Sequence, residues 1–376
     1  MIWTSAFNFL NPWRNSRIET YVLRSYIAMF GAALLVVASM IFLIDYMGIS
    51  KTVATRADLS GLSTMGLLLE KSPSSILVLL PFAFLFGSLL AFINLNRRSE
   101  LIAMRAAGLS AWRFVMPAAA LAFVIGVLTI TVLSPAASLL NDQYDKTMHQ
   151  IDNDDPASAS KAIYLRQGDG KTQVVIRAEG RDAAIGHLHG VTFWLYDINN
   201  KDVPNFDERI DAARAVLYPG KWQLYDAHEA KPGEATLAYE TLAIPSNLDP
   251  QDAFRKYAST ASVPFWQLPG LIHQNAISGF GTTAYELKLH QLLATPLMFA
   301  AMSALGAAFS LRLMRLGGLT RLVISGVSLG FVIFFVNQLF SAMGKANVIP
   351  VALAGWTPAV LALMAAMTLL VYTEDG

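Results

Sequence analysis

Cysteine is absent from all 376 residues. That excludes disulfides, thiolate catalysis, zinc ribbons and thiolate-held iron–sulfur clusters, although an oxidising compartment tolerates a cysteine-free domain. Charge is scarce too: 15% of residues are Asp, Glu, Lys or Arg, against about 25% in an ordinary soluble domain. Apolar side chains fill the deficit at 54% of the chain, so a wholly soluble protein and a disordered one are both excluded. Recognisable chemistry is missing as well. Gly170-Lys171-Thr172 ends like a phosphate-binding loop, but Leu165 stands where its first glycine belongs. Gly279, Gly281 and Ala284 have no strand before them to make a dinucleotide site. His187 and His189 lack further metal ligands at obvious spacing. No nucleophile elbow, His-Glu-x-x-His string or pair of intramembrane carboxylates occurs. The chain reads as a non-enzyme that binds no cofactor, metal or nucleic acid of its own.

Long uncharged runs are what it does have. A membrane helix needs about 20 mostly apolar residues. Gaps between charges of that length fall at Ser25–Ile44, Ser72–Asn96, Phe114–Asn141, Leu289–Leu311, Leu322–Gly344 and Ala346–Thr373. The spacing predicts six spans, three on each side of a large insertion. Arg14, Arg17 and Arg24 precede the first run and no small-residue cleavage pattern closes it, so it reads as a retained helix rather than a signal peptide. Ten Lys and Arg fall on one side: Arg14, Arg17, Arg24, Arg97, Arg98, Arg105, Arg113, Arg312, Arg315 and Arg321. Only Lys51, Arg56, Lys71 and Lys345 fall in the opposite short loops. The positive-inside rule then predicts cytoplasmic termini and an insertion on the outer side, periplasmic in a cell that has a periplasm. From Asp142 to Lys256 there are 19 acidic and 13 basic residues, a net of −6, while the rest of the chain has 8 and 15, a net of +7. Two compartments are expected.

Within the insertion the period changes. Ile163–Arg166, Gln173–Ala178, Val191–Ile198, Ala213–Tyr218, Trp222–Asp226 and Ala235–Leu242 are short runs rich in β-branched and aromatic residues. Gly-Asp-Gly at 168–170, Asn199-Asn200, Pro219-Gly220 and Pro232-Gly233 punctuate them. An all-β, jelly-roll-like domain is expected. The implied organisation is an N-terminal membrane half over 1–141, a β-domain over 142–262, and a connecting helix with the C-terminal membrane half over 263–376. Pro264–Ile277 is expected to be a short amphipathic helix, with Thr282 or Thr283 capping the fourth span.

The loop over 97–116 carries the most information. Ser99 is placed to cap a helix over about 99–112, with Glu100 in its first turn. Leu101, Met104, Gly108 and Trp112 then fall near one face. A basic loop that merely fixes topology would account for the arginines. A short amphipathic helix lying along the membrane is instead suited to a groove on a cytoplasmic partner.

Ser99-Glu100-Leu101 followed by Ala103-Met104-Arg105-Ala106-Ala107-Gly108 resembles the coupling segment of the LptF/LptG (YjgP/YjgQ) permease family of the lipopolysaccharide export ABC transporter. Ser72-Pro73, Leu80-Pro81, Asp45, Ile210–Ala215 with Trp222-Gln223-Leu224, Leu293–Leu297 and Asn337–Phe340 are similar too, so the likeness spans nearly the whole chain. The Ala-Met-Arg-Ala-Ala-Gly form is more similar to the LptG branch than to LptF. The resemblance implies six spans around a periplasmic β-jellyroll in the bacterial inner membrane. It implies a second, LptF-like permease, a cytoplasmic (LptB-like) ATPase dimer that binds the Mg-ATP, a periplasmic bridge and a single-span regulator (LptA- and LptC-like). Lipopolysaccharide would leave the outer leaflet of the inner membrane through a sideways-opening cavity and pass up the β-domains. Glu100 matches the coupling glutamate, with Arg98, Leu101, Met104 and Arg105 on the same helix.

This sequence departs from the family where lysines often surround the outer end of the first span; here stand Phe42, Leu43, Asp45, Tyr46 and Met47. Asp142 and Asp145 follow the third span before Lys146. Phe42, Asp45, Lys51, Arg56, Lys146 and Lys288 are therefore the candidates for lipid contact, with interfacial snorkelling the alternative role for the basic ones. In the β-domain, Tyr164, Ile176, Phe193 and Trp194 are candidates for an apolar lipid path. His290, Gln291, Asn337 and Gln338 are expected to face the bundle or a cavity, since exposure to lipid is unfavourable. The competing function is a membrane-anchored binding or assembly protein without transport, which has no use for a partner-docking helix on the inner side.

Overall fold

The computed structural model describes residues 17–54, 61–153, 163–168, 172–181, 187–198, 204–246, 248, 259–277, 281–313 and 319–374. Helices α1 (Arg17–Ala54), α2 (Gly61–Arg97) and α3 (Glu100–Ala106) come first. Helix α4 (Ala111–Leu128) runs through a π-helical turn, Thr129–Leu133, into α5 (Ser134–Asn153). Strands follow: β1 (Ile163–Gly168), β2 (Thr172–Arg181), β3 (His187–Ile198), β4 (Pro204–Tyr218), β5 (Lys221–Ala230) and β6 (Leu237–Pro245). After a 3-10 turn at Phe265–Gln267 come α6 (Leu268–Ile277), α7 (Thr283–Leu313), α8 (Leu319–Lys345) and α9 (Val351–Glu374). Six helices among the described residues are long and apolar enough to cross a membrane, and the strands lie between the third and fourth of them. The chain divides into two compact units. One comprises Met1–Asn141, Pro264–Trp266 and Glu286–Gly376; the other comprises Asp142–Val263 and Gln267–Tyr285.

Small residues set the packing of the helical unit. Where side chains are small, helix backbones approach closely enough for van der Waals contact to hold them without a hydrophobic driving force. Ser88 Oγ donates to the Ser303 carbonyl at 2.6 Å. A Cβ added to Gly306 would lie 2.4 Å from the Leu85 carbonyl oxygen, so α2 and α7 touch backbone to backbone there. Phe30, Phe84 and Phe299 stack beside that contact, with ring centroids 4.4 and 4.6 Å apart.

The π-helical turn has a local cause. Thr129 and Thr131 turn their hydroxyls back onto the carbonyls of Ile125 and Val127, at 2.8 and 2.9 Å, a pattern that bends helices. Pro135 has no N–H to offer the Thr131 carbonyl. The indole Nε1 of Trp266 donates to that carbonyl instead, at 3.3 Å.

In the second unit the strands form one six-stranded antiparallel sheet in the order β1-β2-β3-β4-β5-β6. Ile176 pairs with Phe193, and Phe193 with Ile210, so these three share a face. With Trp222, Leu224 and Ile244 they form the buried core of the sheet. Strand β4 begins at Pro204, earlier than the apolar run from Ala213 indicates. Its first half alternates buried Ile210 and Ala212 with outward Arg209 and Asp211, and Asp211 accepts from the Thr192 hydroxyl at 2.7 Å. Buried Gln167 curls the sheet: from the end of β1 it donates to the Pro245 carbonyl at 2.8 Å and accepts from Trp222 Nε1 and Ser246 Oγ. First and last strands thus meet at one end without pairing. The turn residues at 169–170 and Asn199-Asn200 lie outside the described residues, as does Gly279-Phe280.

Candidate functional site

The expected helix over 99–112 is two helices. Gly108 adopts φ +80, a left-handed conformation that only glycine enters without strain, and ends α3 after seven helical residues. Ser110 then caps α4, accepting from the Trp112 N–H at 3.3 Å. Ser99 does not act as the expected side-chain cap: its φ is 58 and its hydroxyl makes no capping bond. A seven-residue helix is too short to be stable alone, so side-chain anchors must hold α3.

Those anchors come from both sequence ends of the bundle. Leu101 is 2% exposed and belongs to the core that contains Val22, Phe114 and Leu370, with Met104 and Trp112 packed against it. Tyr21 in α1 donates its hydroxyl to Glu100 Oε1 at 3.0 Å. Two residues earlier, Glu19 accepts from Arg113 Nε at 3.2 Å. Arg105 Nη2 donates to the Thr373 carbonyl at 3.1 Å, satisfying one of the orphan carbonyls at the end of α9. The predicted apolar face, Leu101 with Met104, is therefore turned into the chain's own bundle. Outward stands Ile102, 61% exposed, with Ala103, Ala106 and Arg98 also exposed. Glu100 Oε2 is buried with no hydrogen-bond partner among the described residues.

The lipid-contact candidates scatter. Phe42 lines an apolar groove of about 580 Å³ with Leu35, Ala38, Leu43, Tyr46, Met65 and Leu68. Asp45 is buried, and Lys71 Nζ stands 3.6 Å from its carboxylate. Lys71 thus brings to Asp45 a cation that the sequence of the first span lacks. Lys51 is exposed, Lys288 is half-buried, and Arg56 lies outside the described residues. Lys146 pairs with Asp142 one turn earlier on its helix. Asp145 accepts hydrogen bonds from Ser259 and Ser262, so the acids after the third span have local partners.

The β-domain candidates divide between two faces. Ile176 and Phe193 are fully buried, Phe193 meeting Trp222 edge-on at 5.7 Å. Trp194 neighbours Phe193 along β3 and faces the other way, as does Tyr164, which is 59% exposed. Of the intramembrane polar residues, Gln291 donates to Ser341 Oγ at 2.9 Å. Gln338 instead is exposed beside Phe335 and Leu339, on a face of α8 that this chain leaves uncovered.

Tyr21, Lys71 and Ile102 were not singled out by sequence. A tyrosine at the end of a span reads as an interfacial anchor, and nothing local links it to a carboxylate 79 positions away. No curated protein sequence matches this chain. The family profile described as lipopolysaccharide export system permease LptF/LptG matches residues 20–372. Six membrane-type helices, a six-stranded sheet inserted between the third and fourth, and that match over nearly the whole length place the chain in the LptF/LptG family of lipopolysaccharide export permeases.

Proposed function

We propose that this chain is an LptG-type permease subunit, without catalytic residues of its own, in the bacterial inner membrane. It pairs with an LptF-type permease and takes lipopolysaccharide from the outer leaflet. The ATP is bound with Mg²⁺ and hydrolysed by a separate cytoplasmic dimer. The β-domain stands in the periplasm and hands the lipid to a bridge, with a single-span regulator beside it. Ten Lys and Arg on one side of the spans, against four in the opposite short loops, support that orientation through the positive-inside rule.

The observation that carries this reading is α3. A partner pushing on Ile102 would load a helix fastened by Leu101, Tyr21 and Arg105 to the first and last spans. The second oxygen of Glu100 is buried without a hydrogen-bond partner among the described residues, so a basic residue of the ATPase would reach it as α3 shifts. The groove lined by Phe42 offers acyl chains an apolar wall.

The test is purification of the tagged chain in mild detergent, with ATP hydrolysis measured with and without lipopolysaccharide. Recovery of a second six-span permease and an ATPase, with lipid-sensitive hydrolysis, is expected. Recovery of the chain alone would transfer it to the class of anchored binding proteins.

A further inference from the structure

We propose that Tyr21 is a positioning residue of energy coupling, its hydroxyl fastening Glu100 so that displacement of α3 is passed to the first span. The inference rests on the reading of α3 as the ATPase-docking element. It concerns what happens after docking. At both ends α3 is joined to its neighbours through left-handed residues, Ser99 (φ 58) and Gly108 (φ +80). Helical hydrogen bonding therefore does not continue rigidly into α2 or α4, and the side-chain ties fix the orientation of α3.

Two polar contacts leave α1 within one turn: Tyr21 to Glu100 at 3.0 Å, and Glu19 to Arg113 at 3.2 Å. Arg113 belongs to α4, beyond Gly108, whereas the Tyr21 bond connects α1 directly to a side chain of α3. Helix α1 packs along α2, and in its most apolar window 11% of residues are buried. It carries Leu35, Ala38 and Phe42 of the apolar groove. A pull on Glu100 thus reaches the groove wall through the helix that carries both Tyr21 and Phe42. The same bond fixes one carboxylate oxygen of Glu100, and the other is buried.

Tyr21→Phe removes the hydroxyl and keeps the ring, so packing is retained. In the complete complex, ATP hydrolysed per lipopolysaccharide released should rise about threefold to tenfold, the loss of one hydrogen bond. Hydrogen exchange of the α3 amides should rise by a similar factor while the ATPase still co-purifies. An unchanged ATP-to-lipid ratio would overturn the proposal. So would loss of ATPase co-purification, which would make Tyr21 an assembly contact. Failure of the wild-type chain to recover any ATPase is a different result: it removes the reading of α3, and this inference with it.

Discussion

Helices α2 and α7 differ from α1 and α8 in what surrounds them far more than in how apolar they are. In the most apolar windows of α2 and α7, 56% and 61% of residues are buried, against 11% and 22% in α1 and α8. Side-chain size accounts for the difference. Ala83, Ser88 and Ala91 on α2 and Ala301, Ser303 and Ala307 on α7 are 0% exposed, and Gly306 is buried; small residues let two helices approach closely. On α1, Leu35, Val36, Met40, Leu43 and Ile44 project outward, as do Phe331, Val332, Phe335 and Leu339 on α8. The comparison separates a central pair that holds the bundle from an outer pair whose faces are left for lipid, cargo or a second permease. Gln338 on the exposed face of α8 favours an occupant other than acyl chains alone, because an amide facing lipid lacks hydrogen-bond partners.

Truncation in the central pair should have the largest effect. Phe84→Ala removes a side chain that is 0% exposed and should lower stability by about 3–5 kcal/mol, read as a fall in melting temperature in detergent. Gly306→Ala pushes a methyl toward the Leu85 carbonyl and should lower it by about 1–3 kcal/mol in the same assay. Leu43→Ala and Phe335→Ala on the outer pair should each stay within about 0.5 kcal/mol. Equal losses on both pairs would erase the distinction between them. Those two substitutions should instead reduce crosslinking to lipopolysaccharide or to the second permease.

Outside the membrane the smallest effect is expected, at Lys231, which bridges Glu208 at 3.2 Å and Glu229 at 3.1 Å beside Tyr239. Hydrogen bonding to Lys231 holds Glu229 below the ordinary carboxylate range, so its contribution is present above that range and lost as pH falls through the lowered value. Burial pushes Glu208 up despite Lys231, so its contribution is present at low pH and lost as pH rises through the raised value. The two trends therefore oppose each other as pH changes. Lys231→Ala leaves two adjacent carboxylates, so its destabilisation should be greater at pH 7 than at pH 3, measured by thermal melts at both. An equal loss at both pH values would show that the cluster does not act through charge.

Much of the architecture was legible because bilayer and water impose different rules. Runs without charge from Ser72 to Asn96 or from Leu289 to Leu311 have few other uses, and the alternation in Gln173–Ala178 marks a strand. Burial on a particular face was not legible. Leu101 and Met104 have the composition of a partner-facing stripe, yet their neighbours are Val22, Phe114 and Leu370, remote in sequence. Gly108 as a helix terminator could have been read from its residue type, and it divides the segment that Ser99 and Trp112 bracket. The cation beside Asp45 was hidden because Lys71 belongs to the next helix. Pairings such as Tyr21 with Glu100 arise only when two spans settle side by side.

The central claim, that α3 presents Ile102 to an ATPase while Leu101 anchors it, is tested most directly by a photo-crosslinking amino acid placed at each position in turn. The account predicts an adduct with the ATPase from position 102 and none from position 101. Adducts from 101, or none from 102 in cells where the transporter is active, would contradict it.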